Sequence, residues 1–327
     1  MRLKIFQSFL LLLLLTPPAR IPGTTAYAGN DAFEESFEAR RGFRLFGGPS
    51  RQGPDHQWER IEEAIEAGRT RRAIRRANQL VRAWPDHDLA PKAQRLIGDL
   101  YIERGNPEAA FEAYQTLINA YAGQFDYQEI LDIQLKLSEE VQHRIIRALF
   151  ARYTQPQDAI PLYRQLITNA PHADITPELM YRIGSIFLEK RKPREAIEEF
   201  NQLEERFPDS EFAMKAAWHR AQAFERLAKR FPTDASTTLS AWQAYVYFVN
   251  TYPASDFAPE ARERMQHFYN QAAENQYQLA VFYEERMSRP EAARVTLETL
   301  LQEFSGSDWA IKAADRLEAL QPTPTLQ

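Results

Sequence analysis

The chain has 327 residues, is 44 % hydrophobic and 26 % charged, and carries a formal net charge of −5 with 12 glycines and no cysteine. Abundant Ala, Leu, Glu, Gln and Arg with few glycines predict an all-α protein, and no alternating β-branched run bounded by Asn-Gly or Asp-Gly supports an all-β one. The mild negative charge argues against bulk nucleic-acid binding, and a chain without cysteine has neither a disulfide framework nor a thioether-linked lipid.

In chain order, Arg2 and Lys4 precede an apolar run from Ile5 to Leu15, and Ala26-Tyr27-Ala28 offers the small residues read by a signal peptidase. Residues 1–28 are therefore expected to be a signal peptide, since the run is about half the ~20 residues that span a bilayer. Residues 29–54 read as a flexible lead-in broken by Gly47-Gly48-Pro49 and Gly53-Pro54, in which Phe33 and Phe37 lie one helical turn apart and could form a small docking stripe.

From residue 55 to 320 one phrase recurs after helix-like runs. It reads Trp84-Pro85-Asp86-His87-Asp88, Ala170-Pro171-His172-Ala173-Asp174, Phe207-Pro208-Asp209-Ser210-Glu211 and Tyr252-Pro253-Ala254-Ser255-Asp256, with a proline-less copy at Phe304-Ser305-Gly306-Ser307-Asp308. Proline ends one helix and the acid favours the start of the next, so each copy marks a seam between helical repeats. The intervals fit the 34-residue tetratricopeptide pattern: Gly98, Tyr101, Ala110 and Tyr114 in one copy, and Gly184, Phe187, Ala196, Phe200 and Pro208 in another.

The remaining copies are looser. The first keeps Ala73, the third keeps Ala159 and Tyr163, and the fifth keeps Ala241 and Tyr245. The third has a first helix running from about Tyr127 to Phe150, and the fifth has an insertion at Leu227–Thr238. A long helix is predicted from about Pro259 to Arg286, then one at Pro290-Glu291-Ala292-Ala293. A last amphipathic helix starting at Ser307 or Asp308, with Trp309, Ile311 and Leu317, would cap the stack. The expected architecture is a tetratricopeptide-repeat superhelix of five to six irregular repeats. Its N-terminal repeats fill 55–172, its C-terminal repeats fill 173–320, and a disordered tail follows at 321–327.

The stretch Phe257-Ala258-Pro259-Glu260-Ala261-Arg262-Glu263-Arg264-Met265, continuing through Leu279-Ala280-Val281-Phe282-Tyr283-Glu284-Glu285-Arg286, resembles the long linking helix of the BamD-like family of outer-membrane protein assembly factors. The resemblance covers about Trp58 to Leu320. It implies a periplasmic scaffold, peripheral to the outer membrane, that docks on the periplasmic domains of an Omp85-type insertase and helps deliver unfolded outer-membrane proteins. Lacking cysteine, this chain is expected to reach the membrane through a partner. A soluble periplasmic adaptor coordinating cell-wall synthesis or envelope constriction is the alternative.

The repeat alignment places Trp58, Glu62, Ile65 and Glu66 on one wall of first helices. It adds Lys92, Arg95, Asp99, Ile102 and Glu103 from the second repeat, and Tyr181, Ser185, Leu188 and Glu189 from the fourth. The peptide-groove candidates are Trp58, Glu62, Lys92, Arg95, Asp99, Glu103, Tyr181 and Ser185. Trp58 also fits the first repeat's core, and Arg95 with Asp99 fits a surface i, i+4 pair. Arg262 and Arg264 are the candidates for insertase docking. The cluster Arg69, Arg71, Arg72, Arg75, Arg76 and Arg82 reads as the basic outer face of an amphipathic helix.

No catalytic role is expected. The histidines lack metal-ligand spacing, Asp86-His87-Asp88 reads as a solvated turn, and no nucleophile elbow or Gly-rich phosphate loop is present. No cofactor, metal or nucleic-acid partner is expected.

Overall fold

The computed structural model describes residues 48–148, 151–232 and 234–320. The expected signal peptide, most of the lead-in and the tail lie outside the described residues. Ser50, at the lead-in's end, is already buried, and its N–H donates to Gln57 Oε1 at 2.9 Å.

Thirteen α-helices follow one another among the described residues. They form six antiparallel pairs: α1 (Pro54–Glu66) with α2 (Thr70–Ala83), α3 (Leu89–Glu103) with α4 (Pro107–Ala120), and α5 (Tyr127–His143) with α6 (Ile160–Asn169). The series continues with α7 (Thr176–Glu189) and α8 (Pro193–Arg206), α9 (Glu211–Arg230) and α10 (Ala235–Thr251), and α11 (Ala258–Glu285) and α12 (Pro290–Glu303). The single helix α13 (Ala310–Ala319) closes the stack. Each helix packs on its predecessor and its successor, so the core is a stripe running along the stack.

The seams show why these sequences fold alike. Trp84, Tyr121, Ala170, Phe207, Tyr252 and Phe304 each leave the helix with φ between −138° and −125°, while their N–H still donates to the carbonyl four residues back. A tight backbone turn then delivers a small residue to the next helix. Ala90, Thr176, Ala213, Ala258 and Ala310 occupy that place and are buried. The acids of the phrase make no side-chain cap: Asp88 is the N-cap of α3 without a cap bond, and at α9 the cap is Ser210, accepting from Phe212 N. Entry after these five seams is thus set by the backbone turn and the small residue, whereas α5 is entered through a carboxylate, Asp126 accepting from Glu129 N at 3.1 Å.

Within five pairs the second helix presents a fully buried alanine, Ala73, Ala110, Ala196, Ala241 or Ala293, and in the third pair Ala159, at the N-cap of α6, does the same. One turn on, Tyr114, Tyr163, Phe200 and Tyr245 are also fully buried. Gly98 and Gly184 face two of those rings. A Cβ on Gly98 would sit 2.6 Å from Tyr114 Cζ, and one on Gly184 closer still to Phe200. Each buried large side chain is worth about 1.5–3 kcal/mol.

Three expectations are corrected. The predicted helix to Phe150 ends at His143, and Ile145–Ala148 pairs antiparallel with Ala151–Thr154 as a hairpin, β1 and β2, ahead of a 3₁₀ turn at Pro156–Ala159. Arg144 takes an extended conformation there and its guanidinium reaches Glu108 at 2.5 Å and Asp158 at 3.9 Å, which draws the chain off the helix axis just before the β-branched pair Ile145-Ile146. The final helix begins at Ala310, and Ile311 is 74 % exposed; the cap closes with Ala313, Trp309 and Leu317. The 227–238 insertion forms no loop of its own, because α9 extends to 20 residues and α10 begins at Ala235.

Candidate protein-interaction surface

Among the first helices of the pairs, on which the wall candidates lie, α1 touches α3 and α7 touches α9. On α1, Trp58 is half-buried against the first repeat's core and its Nε1–H donates to Glu62 at 2.8 Å, so the two groove candidates hold each other. Ile65 and Glu66 are exposed on α1, and Lys92, Ile102 and Glu103 on α3. Leu188 is buried and does not line the wall, a correction that follows from its place on the face of α7 turned to α8 and α9.

Arg95 and Asp99 do not pair with each other. Arg95 makes a two-pronged bond to Glu129 on α5, at 2.8 and 2.5 Å, and this holds the Glu129 carboxyl below its usual range. Asp99 accepts from the Tyr114 hydroxyl at 2.6 Å and so satisfies a polar atom that the core would otherwise strand. Tyr163 donates likewise to Gln142, and Tyr245 to Glu225.

Glu129 stands 34 residues beyond Arg95, one repeat length, and similar bonds recur along the wall. From the same helix α5, Glu139 accepts from Arg182 on α7 at 2.7 Å, and Glu225 on α9 lies 3.4 Å from Arg264 on α11. Sequence reasoning missed Glu129, Glu139 and Arg182; the repeat-length interval was the signal that could have found the first of them. Tyr181 is half-buried, its hydroxyl 3.0 Å from His219 Nδ1 and its ring 5.5 Å from that imidazole. Burial raises the Tyr181 pKa and lowers that of His219. Ser185 lies one turn further along α7, partly covered.

The two docking candidates part company. Arg262 is exposed and donates to the Pro253 carbonyl at 3.2 Å, whereas Arg264 is engaged with Glu225 and Glu260. Further along α11, Leu279 and Phe282 are 41 % and 48 % exposed at i, i+3, and Met287 in the following turn is exposed too. Arg69, Arg71, Arg72, Arg75 and Arg82 are exposed on the outer side of α2, whose other face buries Ala73, Ile74, Ala77 and Leu80, but Arg76 is half-buried and turns to α1, donating to the Arg60 carbonyl and lying 3.6 Å from Glu63.

Among the described residues no three His, Asp or Glu side chains gather to hold a metal ion, and no helix is long and apolar enough to cross a membrane. His87 is used locally, its Nδ1 accepting from Leu89 N at 3.2 Å.

The architecture is an all-α tetratricopeptide-repeat superhelix, a class that generally serves as a non-catalytic scaffold for protein interaction. Family comparisons agree at that level: two tetratricopeptide-repeat families match residues 59–125 and 178–210, and the family YfiO, described as outer membrane lipoprotein, matches residues 217–322. No curated protein matches the chain. Among solved structures, a repeat-containing protein of Cytophaga hutchinsonii is 14 % identical, with 86 % of this chain and 93 % of that one covered at a TM-score of 0.30. PilF of Pseudomonas aeruginosa is 13 % identical over 73 % and 95 %, also at 0.30. A tetratricopeptide repeat protein of Parabacteroides merdae is 14 % identical over 82 % and 99 %, at 0.26.

Proposed function

We propose that this chain is a periplasmic scaffold subunit of the outer-membrane β-barrel protein assembly machinery, docking on an Omp85-type insertase through its C-terminal repeats. The observation that carries the reading is the outer membrane lipoprotein match over 217–322, which spans the long helix α11 and its neighbours. The exposed Arg262 and the apolar pair Leu279 and Phe282 lie on that helix and give a partner both a charge and an apolar anchor. In this reading the wall residues Trp58, Glu62, Lys92, Glu103, Tyr181 and Ser185 face unfolded outer-membrane substrates. Arg95 and Asp99 hold the wall in shape, and the scaffold reaches the membrane through its insertase partner and performs no catalysis.

The test is co-purification of a tagged copy from envelopes dissolved in mild detergent. Recovery of an Omp85-type barrel that is lost with Arg262→Glu, and with Phe282→Asp, is the expected result. Recovery of wall-synthesis or constriction proteins without such a barrel would transfer the protein to the alternative envelope role.

A further inference from the structure

Away from the wall, the turn between α7 and α8 and the C-terminal end of α9 enclose a cleft of about 310 Å³. Arg191, Lys192, Arg194 and Arg230 stand around it, with Leu227 and Phe231 supplying apolar surface. We propose that this cleft is a docking site for an acidic peptide segment of a partner protein, one that alternates carboxylates with apolar side chains.

Charge is the first argument. In a chain of net −5, four cations meet here with one carboxylate, Glu195, in the lining, and none of the four forms an ion pair among the described residues. Lys192 lies 5.9 Å from the Phe187 ring and Arg230 5.5 Å from the Phe231 ring, so their stems are held while their charge stays available. Arg194 adds its charge to the influences that lower Asp234, whose carboxylate is held first by Ser236. Like charges so gathered repel one another, and an incoming carboxylate relieves that repulsion.

Backbone conformation is the second argument. Arg191 has φ 58°, in the left-handed region, where the equivalent turns of the first two repeats place Gly68 at 65° and Gly105 at 62°. Glycine adopts that conformation without penalty, and a side chain there is strained. The fourth repeat thus carries a guanidinium into the cleft at a position where the first two repeats use the less strained residue; the last pair likewise places a side chain there, Ser288 at φ 51°. The surrounding frame is fixed: Arg226 donates to the Leu188 carbonyl at 2.5 Å, and Lys190 Nζ reaches the Thr154 carbonyl of the hairpin at 3.5 Å.

The concavity and its apolar surface favour a peptide over a membrane. Leu227 is buried at the floor and Phe231 is 39 % exposed at the rim, which suits an apolar side chain flanked by acids. A flat anionic surface would bring its charges against Glu195 and Asp234 as well.

The experiment is fluorescence anisotropy with a short labelled peptide of alternating glutamate and leucine, on the full chain, at low and at high salt. The expected result is salt-sensitive binding that weakens about tenfold for each of Arg191→Gly and Arg230→Gln. Arg191→Gly relieves backbone strain, so its melting temperature is expected to hold or rise, which separates lost binding from lost fold. Arg75→Gln, on the outer face of α2, is expected to leave binding unchanged. Absence of binding by the native chain, equal binding by Arg191→Gly, or an equal loss with Arg75→Gln overturns the proposal. So does preference for phosphatidylglycerol vesicles that the cleft variants abolish, because the site would then be a membrane contact.

Discussion

Gly98 shows how narrow the tolerance of a repeat is at one atom. The Tyr114 ring occupies the space where a Cβ would stand, is fully buried, and has its hydroxyl fixed on Asp99, so neither partner can yield cheaply. Gly98→Ala should therefore destabilise by about 1–3 kcal/mol, and Gly184→Ala against Phe200 by a similar amount. Denaturant unfolding of each variant checks this, and an unchanged midpoint would contradict it. His219 makes a residue-scale prediction about pH. Burial and then the nearby Arg226 charge hold its pKa below the ordinary 6.5, so the folded state keeps the imidazole neutral. Its contribution is complete above the unfolded value and is lost as pH falls through 6.5 toward the folded one. Thermal melts at pH 7.5 and 5.5 should show a larger fall for the native chain than for His219→Gln.

At the scale of elements, helices are joined across repeats by carboxylates that the core alone would not place. Glu225 is the clearest case. Burial alone would raise its pKa, yet bonds from Lys229 and Tyr245 and the Arg264 charge hold it below the usual carboxylate range. It links α9 to α10 through Tyr245 and to α11 through Arg264. Glu225→Ala strands a buried tyrosine hydroxyl and loosens both neighbours, at an expected cost of about 1–3 kcal/mol. Double-mutant cycles with Tyr245→Phe should show the two losses to be non-additive. The hairpin after α5 teaches the opposite lesson: a helix-period pattern continued to Phe150 in the sequence, but Arg144 found partners off the axis on α4 and in the 3₁₀ turn.

For the whole molecule, the repeat stack was legible because it depends on local spacing. The buried alanines, the ring one turn on and the seam aromatics recur at fixed intervals, and an interval can be read without coordinates. Arg95, Asp99 and Arg264 were placed on the right helices, but their bonds were not foreseeable, since an ion pair between repeats depends on how far two first helices stand apart. The cationic cleft was hidden for the same reason. Arg191 and Arg230 are brought together only by α8 packing on α9, and each alone reads as an ordinary charged helix end. The end of the stack yields a prediction at this scale. α13 covers Ala280, Leu297, Leu300 and Phe304 and is tied to α11 by Arg316 on Glu284 and Glu285, at 2.7 and 2.6 Å. Truncation before Ser307 should bare that apolar layer, lower the melting temperature by several degrees and promote self-association. Light scattering alongside the melt would register both effects.

The length of α11 changes how the C-terminal end answers to force and heat. Its first half contributes Ala261 and Phe268 to the core shared with α9 and α10, and its second half contributes Ala272, Ala273 and Ala280 to the core under α12 and α13. At about 1.5 Å per residue it is a rod of roughly 42 Å bridging two cores. Terminal units of a linear array ordinarily fray one after another. Here, displacing the last pair must drag on the preceding one, so amide protons in both halves of α11 should exchange at a common rate, and a tug by a docked partner would be felt a full layer inward.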